Sequence, residues 1–139
     1  MATTPTIWIP TAEQASVCRD CELAAYGSAA TVRQWRSLLA NRSVVALCHG
    51  KRPTAVAVAK STESGWQLLL VAVRPTARRR GIGSTLVKLL GEKSLLTLRL
   101  RETATAALKF AVACGFHPLR VDRDSYGDCD AVILTRNPE

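Results

Sequence analysis

Aromatic residues are scarce: three Trp, two Tyr and two Phe make up 5% of the 139 residues. Proteins that hold single-stranded nucleic acid stack successive bases on aromatic side chains, and this chain lacks the rings for such a platform. No apolar run approaches the ~20 residues that a membrane-spanning helix needs, so no membrane partner is expected. The opening MATTPTIWIP has no basic segment followed by an apolar stretch. It does not read as a secretory signal, and a cytoplasmic location is expected. Histidine is limited to His49 and His117, without ligand-like spacing. The five cysteines are odd in number. Cys18 and Cys21 form a C-x-x-C, but a zinc site would want a second such pair. Small reduced thiols packed in a core are expected, with no metal and no disulfide frame.

Acidic residues are also few, 11 against 19 Lys and Arg, for a net charge of +8 and a pI near 9.8. Such a surplus suits a polyanion: nucleic acid, an anionic membrane or a phosphorylated ligand. The arginines are spread along the chain, however, and only Arg78, Arg79 and Arg80 form a run. Nucleic acid is therefore the minority reading.

Hydrophobic residues make up 47% of the chain, enough for one core, so residues 1–139 read as a single domain. TPTIWIPT alternates and predicts a strand over 4–9. Thr11 with Gln14 fits a capping box opening a helix over 12–25, which Gly27 stops. A second helix follows from Ser28, with Val32, Trp35, Leu38 and Leu39 on one face. Residues 43–61 read as two strands around a turn at 49–51. WQLLLVAV is apolar nearly throughout and predicts a strand covered on both faces. Ile82, Leu86, Leu89 and Leu90 then recur at helical spacing. SLLTLRLR returns to strand. Ala104, Ala107, Leu108, Ala111 and Val112 mark a further helix that Gly115 ends. Two short strands, HPLRV and AVILT, flank the polar DRDSYGDCD turn. The order β-α-α-β-β-β-α-β-α-β-β predicts a mixed α/β (α+β) sheet with helices packed against it.

The segment RRRGIG, residues 78–83, joins the apolar strand to a helix. The first N–H groups of a helix have no internal partner and its dipole favours negative charge, so this junction is an anion site. Gly81 and Gly83 let a ligand approach the backbone, and the arginines add charge and directed donors. A pyrophosphate suits the loop. A Walker A loop is excluded because no Lys follows Gly83, and a dinucleotide fingerprint because position 86 is Leu. The bland reading is a solvated basic turn.

VAVRPTARRRGIGSTLVKLL resembles motif A of the GCN5-related N-acetyltransferases, the GNAT superfamily: R/Q-x-x-G-x-G/A falls on Arg78, Gly81 and Gly83, after Val71, Val73 and Pro75. LRLRETATAALKFAVACGF resembles motif B through Gly115-Phe116. The resemblance implies a mostly antiparallel sheet of about seven strands with four helices. It implies acetyl-CoA as co-substrate, its pantetheine arm along the backbone of Val71, Ala72 and Val73. Its pyrophosphate would lie on backbone N–H groups of Arg78, Arg79, Arg80, Gly81, Ile82, Gly83 and Ser84. The implied activity is acetyl transfer to a primary amine of a small molecule or protein. Dimerisation, common in such proteins, makes a homodimer possible.

Motif B usually carries an asparagine and a tyrosine at the positions held here by Ala104 and Ala111. The tyrosine commonly protonates the departing thiolate. Two other residues are candidates for acid–base work: Tyr126, in the last loop, and Glu102, at the end of a strand. Their bland readings are a turn tyrosine half covering the core and a carboxylate beside a helix start. The missing groups also favour an alternative, a non-catalytic acetyl-CoA-binding module that regulates a protein partner. Trp35 is a candidate for lining an acceptor pocket. Asp122, Asp124, Asp128 and Asp130 could attract a cationic amine, although aspartates are ordinary turn formers.

Overall fold

The computed structural model describes residues 7–138. Eleven elements follow in the predicted order: β1 (Ile7–Trp8), α1 (Ala15–Tyr26), α2 (Val32–Ala40), β2 (Val44–His49), β3 (Ala55–Ser61), β4 (Gly65–Val73), α3 (Ile82–Leu90), β5 (Leu95–Arg101), α4 (Thr105–Ala113), β6 (His117–Asp122) and β7 (Ala131–Arg136). Positions 4–6 of the predicted first strand lie outside the described residues. The Thr11/Gln14 box is formed, with the Thr11 N–H donating to Gln14 Oε1 at 2.8 Å. It opens a 3₁₀ turn, Ala12–Gln14, that leads into α1. α2 starts later than the sequence suggests. A second box, Thr31 with Gln34, satisfies its first donors, with Gln34 N donating to Thr31 Oγ1 at 3.1 Å.

The seven strands form one sheet in the order β1-β2-β3-β4-β5-β7-β6. Every neighbouring pair is antiparallel except β4 with β5. One face carries α1 and α2 over Cys18, Cys21, Trp35, Cys48, Val58 and Ala72. Cys18 and Cys21 are wholly buried. Small thiols three apart let α1 sit close to the sheet, with Cys18 Sγ 3.8 Å from Cys48 Sγ. All five cysteines are free thiols. Trp35 is also core, 1% exposed, and its indole N–H donates to Glu22 Oε1 at 2.8 Å. It lines no acceptor pocket. The opposite face carries α3 and α4 over Leu68, Val87, Leu96, Ala111, Phe116 and Leu134.

Two features of β4 open the sheet. The β3–β4 register slips where Val58 faces Leu70 and Ala59 faces Leu68, so Leu69 is an extra residue on β4. Such a bulge bends its strand and shifts the alternation by one. Leu68 before it and Val71 after it therefore both pack toward α3 and α4. Leu70 and Ala72 pack toward α1. Second, β4 pairs β5 only over Gly65–Gln67 against Leu95–Thr97. Beyond Gln67 the two strands part, and the sheet opens as a V. β4 is thus not covered throughout as its composition predicts: Leu69 is 43% exposed.

At the far side, the Arg136 guanidinium is buried between two helix ends. Its Nε donates to the Cys114 carbonyl at 2.9 Å and its Nη1 to the Gly91 carbonyl at 3.2 Å. These residues terminate α4 and α3. A cation on last-turn carbonyls also meets the negative ends of both helix dipoles.

Candidate active-site groove

The V holds a groove of about 700 Å³ that runs from the free edge of β4 across the start of α3 to the exposed side of α4. Its geometry follows from strand alternation. Arg74 N donates to Thr54 O, so Thr54 and Arg74 form a hydrogen-bonded antiparallel pair. Val56 and Ala72, two positions along each strand, form the next such pair. Ala72 thus directs its N–H and C=O to β3, and Val71 and Val73 direct theirs to the open edge. Two side chains meet that edge. The Tyr26 hydroxyl donates to the Val71 carbonyl, and Arg78 Nε donates to the Val73 carbonyl at 3.3 Å. Arg78 Nη2 also donates to the Ala25 carbonyl at 2.7 Å. Arg78 therefore ties the end of α1 to the loop before α3.

That loop has the backbone form of an anion cradle. Arg79 and Gly81 have φ of +68° and +73°, with Arg80 between them at negative φ. Successive residues of alternating φ turn their N–H groups into one concavity, here over the first turn of α3. A Cβ on Gly81 would meet nothing within 4 Å, so its glycine answers to the left-handed backbone and to whatever approaches from outside. Gly83 differs. A Cβ there would lie 3.1 Å from Val73 Cγ2 and 3.4 Å from the Phe110 ring. Gly83 lets α3 close on β4 and α4 as well as bordering the groove.

Of the ligand-binding residues expected from sequence, Val71, Val73, Arg78, Arg79, Gly81, Ile82, Gly83 and Ser84 border the groove, and Ala72 and Arg80 do not. Glu102 and Tyr126 also lie outside it. The Glu102 carboxylate accepts from the Asp130 N–H at 3.5 Å. The Tyr126 ring sits against two guanidiniums, with Arg101 Cζ 4.4 Å and Arg99 Cζ 5.5 Å from its centre. The reason is parity: Leu98 and Leu100 face the groove, so Arg99 and Arg101 between them carry Tyr126 on the other side of the sheet. Phe110 of α4 and Cys114 at its end border the groove, whereas Ala111 is wholly buried.

Tyr26 is the groove residue that the sequence reading missed. It ends α1, is 59% exposed, and reaches a carbonyl 45 positions away. Burial of its hydroxyl raises its pKa above the ordinary value, partly offset by the Arg78 charge, so it is a neutral donor at any physiological pH. Burial likewise pushes up the Cys114 thiol. Among the described residues no group of three or more His, Cys, Asp or Glu is arranged to hold a metal ion. No helix among them is long and apolar enough to cross a membrane.

A parted β4/β5 pair with a left-handed glycine loop at the next helix can be compared with known proteins. The family model for the acetyltransferase (GNAT) domain matches residues 40–118, more than half of the chain. The chain belongs to the GNAT acetyltransferase family. Solved GNAT structures share its fold over nearly its whole length. The ribosomal-protein-S18-alanine N-acetyltransferase of Escherichia coli superposes with a TM-score of 0.77 at 20% identity, covering 96% of this chain and 93% of that one. A Bacillus subtilis acetyltransferase in complex with CoA gives 0.75 at 18% identity, covering 98% and 100%. NAA60 of Arabidopsis thaliana, in complex with acetyl-CoA, gives 0.77 at 12% identity, covering 95% and 97%. Comparison with curated protein sequences gives no match.

Proposed function

We propose that this GNAT protein is an acetyl-CoA-dependent N-acetyltransferase acting on a primary amine. The observation that carries the proposal is the meeting, in one groove, of an anion cradle on α3 with the free edge of β4. The N–H groups from Arg78 to Ser84 would hold the pyrophosphate, with the α3 dipole and the three arginines adding charge. Val71 and Val73 would pair with the amides of the pantetheine arm in the manner of an added strand. Leu68, Leu98 and Phe110 give that arm an apolar bed. Bound acetyl-CoA supplies an activated acetyl thioester. The protein's part is to orient it, exclude water and move protons.

Tyr26 takes the acid role in this reading. An amide N–H pairing with the Val71 carbonyl displaces the Tyr26 hydroxyl, which then stands free in the groove to protonate a thiolate. Tyr126 lies with Arg99 and Arg101 on the opposite side of the sheet, where an acceptor amine would enter. Glu102 follows the end of β5, beside Asp130, and a base role for it would need a water relay. The five free thiols support action in the cytosol, with residues 1–139 working as one domain.

Calorimetric titration with acetyl-CoA, beside CoA and a Gly81→Glu variant, tests the reading. Binding by the parent protein and its loss in the variant are expected, and a parent protein that binds neither ligand refutes the proposal. A second reading, a non-catalytic acetyl-CoA-binding regulator, is favoured by the groove lining, which among the described residues contains no carboxylate or imidazole. Turnover of any amine at about 1 per second or faster would exclude it.

A further inference from the structure

A second cavity, a trough of about 320 Å³, lies on the sheet face opposite α3 and α4. Its floor is Thr97, Ile133 and Thr135, and Arg99, Arg120 and Gln67 stand around it. Leu98 borders both the trough and the groove. The two cavities therefore meet from opposite sides of the sheet, one residue past the last β4–β5 pair, Gln67 with Thr97.

We propose that the acetyl acceptor is a small amine that carries a carboxylate or phosphate, bound through Arg99 and Arg120, with its amino group directed past Leu98 to the groove. This rests on the acetyl-transfer reading above. Arg99 and Arg120 both register with Ile133, from the two sides of β7. Two strand spacings set their backbones ~10 Å apart, and both guanidiniums extend over the same floor. They share one carboxylate, Asp122, at 3.5 Å from Arg99 Nη1 and 3.0 Å from Arg120 Nε. Two cations on one anion leave a positive charge at the trough. The Arg99 contact is at the outer limit of a hydrogen bond, and Arg120 uses only its Nε, so the terminal N–H groups can meet a ligand. Among the described residues no acidic one lines the trough.

Two acids of the last loop are engaged elsewhere. Asp128 pairs with Arg101 at 2.9 Å, and Asp130 accepts the Asp124 N–H at 2.8 Å. Attraction of a simple cationic amine by these aspartates is thus the weaker reading. The volume lies at the low end of the ~300–1,000 Å³ usual for small-molecule sites, which fits a compact acceptor. Arg99 directly follows Leu98, so the two cavities are one strand position, ~3.3 Å, apart along β5, and a short linear amine suits the span.

The test has two arms. First, the side-chain Nε–Hε resonances of Arg99 and Arg120 are followed while 4-aminobutyrate, 6-aminohexanoate or phosphoethanolamine is added, with 4-aminobutyramide and 6-aminohexanamide as neutral controls. The anions are expected to shift both arginines and the amides to leave them in place. This arm requires no acetyl-CoA. Second, acetyl transfer to each amine is measured. The acids are expected to exceed their amides by about tenfold or more in kcat/KM, as a charge-assisted pair would give. In the Arg99→Gln/Arg120→Gln double variant this ratio should fall to about threefold or less. Both residues are exposed enough for the variant to fold. Amides that match the acids in either arm, an acid preference that survives the double variant, or transfer to other amines but none of the anions would each overturn the inference. Failure to bind acetyl-CoA defeats the acetyl-transfer reading instead, and the arginine shifts still report whether the trough takes anions.

Discussion

Replacing Tyr26 by Phe separates two roles that a single hydrogen bond leaves entangled. The hydroxyl caps the Val71 carbonyl, and a neutral bond of this kind contributes ~0.5–1.5 kcal/mol. With Tyr26 59% exposed, water can take over part of that bond, so the lower end applies. The variant should lose ~0.5 kcal/mol of stability, a Tm change of ~1–4 °C. A proton donor to the leaving thiolate contributes far more to rate, about 10²–10⁴. The assay is steady-state release of CoA with a reactive amine, beside calorimetric affinity for acetyl-CoA. If Tyr26 is the acid, kcat and kcat/KM fall together by at least about a hundredfold, while acetyl-CoA affinity changes by only a few-fold. The pH profile adds a sign. Tyr26 must be protonated to act, and its pKa lies above the ordinary 10.0, so it imposes no loss of kcat below pH 10. A kcat within about threefold of the parent would refute the assignment, because no general acid costs so little.

Three further outcomes are expected. Gly81→Ala and Gly81→Glu both place a side chain at φ +73°, with a stability cost of ~1–2 kcal/mol. Denaturant melts should therefore agree, but only the glutamate variant should lose acetyl-CoA affinity steeply at low salt and regain part of it at high salt. Arg136→Met removes donors from two buried helix-end carbonyls and should cost ~2–6 kcal/mol, each stranded acceptor contributing ~1–3. A melting shift under 2 °C would argue against the clamp. Burial holds the Cys21 thiol at about 11 rather than 9.0, so the folded state keeps this proton longer than the unfolded chain does. Its contribution is intact below pH 9 and is lost as pH rises toward 11, by on the order of 2–3 kcal/mol, and a Cys21→Ala variant should show a flatter alkaline limb in urea melts.

The element order was legible because each segment carries its own period and its own stop, such as Thr11 with Gln14, Gly27, Pro75 and Gly115. The cradle was legible because a left-handed turn before a helix calls for glycine, and Gly81 stands there. What failed were statements about direction. WQLLLVAV reads as buried on both faces, since a bed for an apolar arm has the same composition as a strand under a helix. The bulge at Leu69 reverses the alternation, and nothing local marks it. Ala111 stands where the resemblance usually has a tyrosine, yet it is buried while Phe110 beside it borders the groove. A helix rotation of one residue, ~100°, decides this, and it is set by packing. Glu102 and Tyr126 were placed near the site by topology alone. The alternation of Leu98, Arg99, Leu100 and Arg101 would have put Tyr126 on the trough side had its guanidinium partners been known. Tyr26 gave no signal, because its partner lies 45 residues away.

The open edge of β4 also explains why a side chain from α1 lies in the groove. An unpaired strand edge beside an apolar surface is a template for pairing with another chain. Val71 and Val73 offer such an edge, above Leu68, Leu98 and Phe110. Tyr26 and Arg78 occupy the two carbonyls, so a passing strand would find its acceptors taken. Both caps are reversible in a way that a paired strand is not. Each costs the protein one side-chain hydrogen bond to release, ~0.5–1 kcal/mol. A ligand that brings amides for the edge and phosphates for the Arg78 loop replaces both bonds at once and adds charge-assisted ones. A peptide strand brings amides only. The caps thus discriminate by chemistry as well as by shape, and they do so at the residue proposed to move the proton. Binding at the edge and release of the acid are then the same event, which keeps the Tyr26 proton engaged until a ligand is in place.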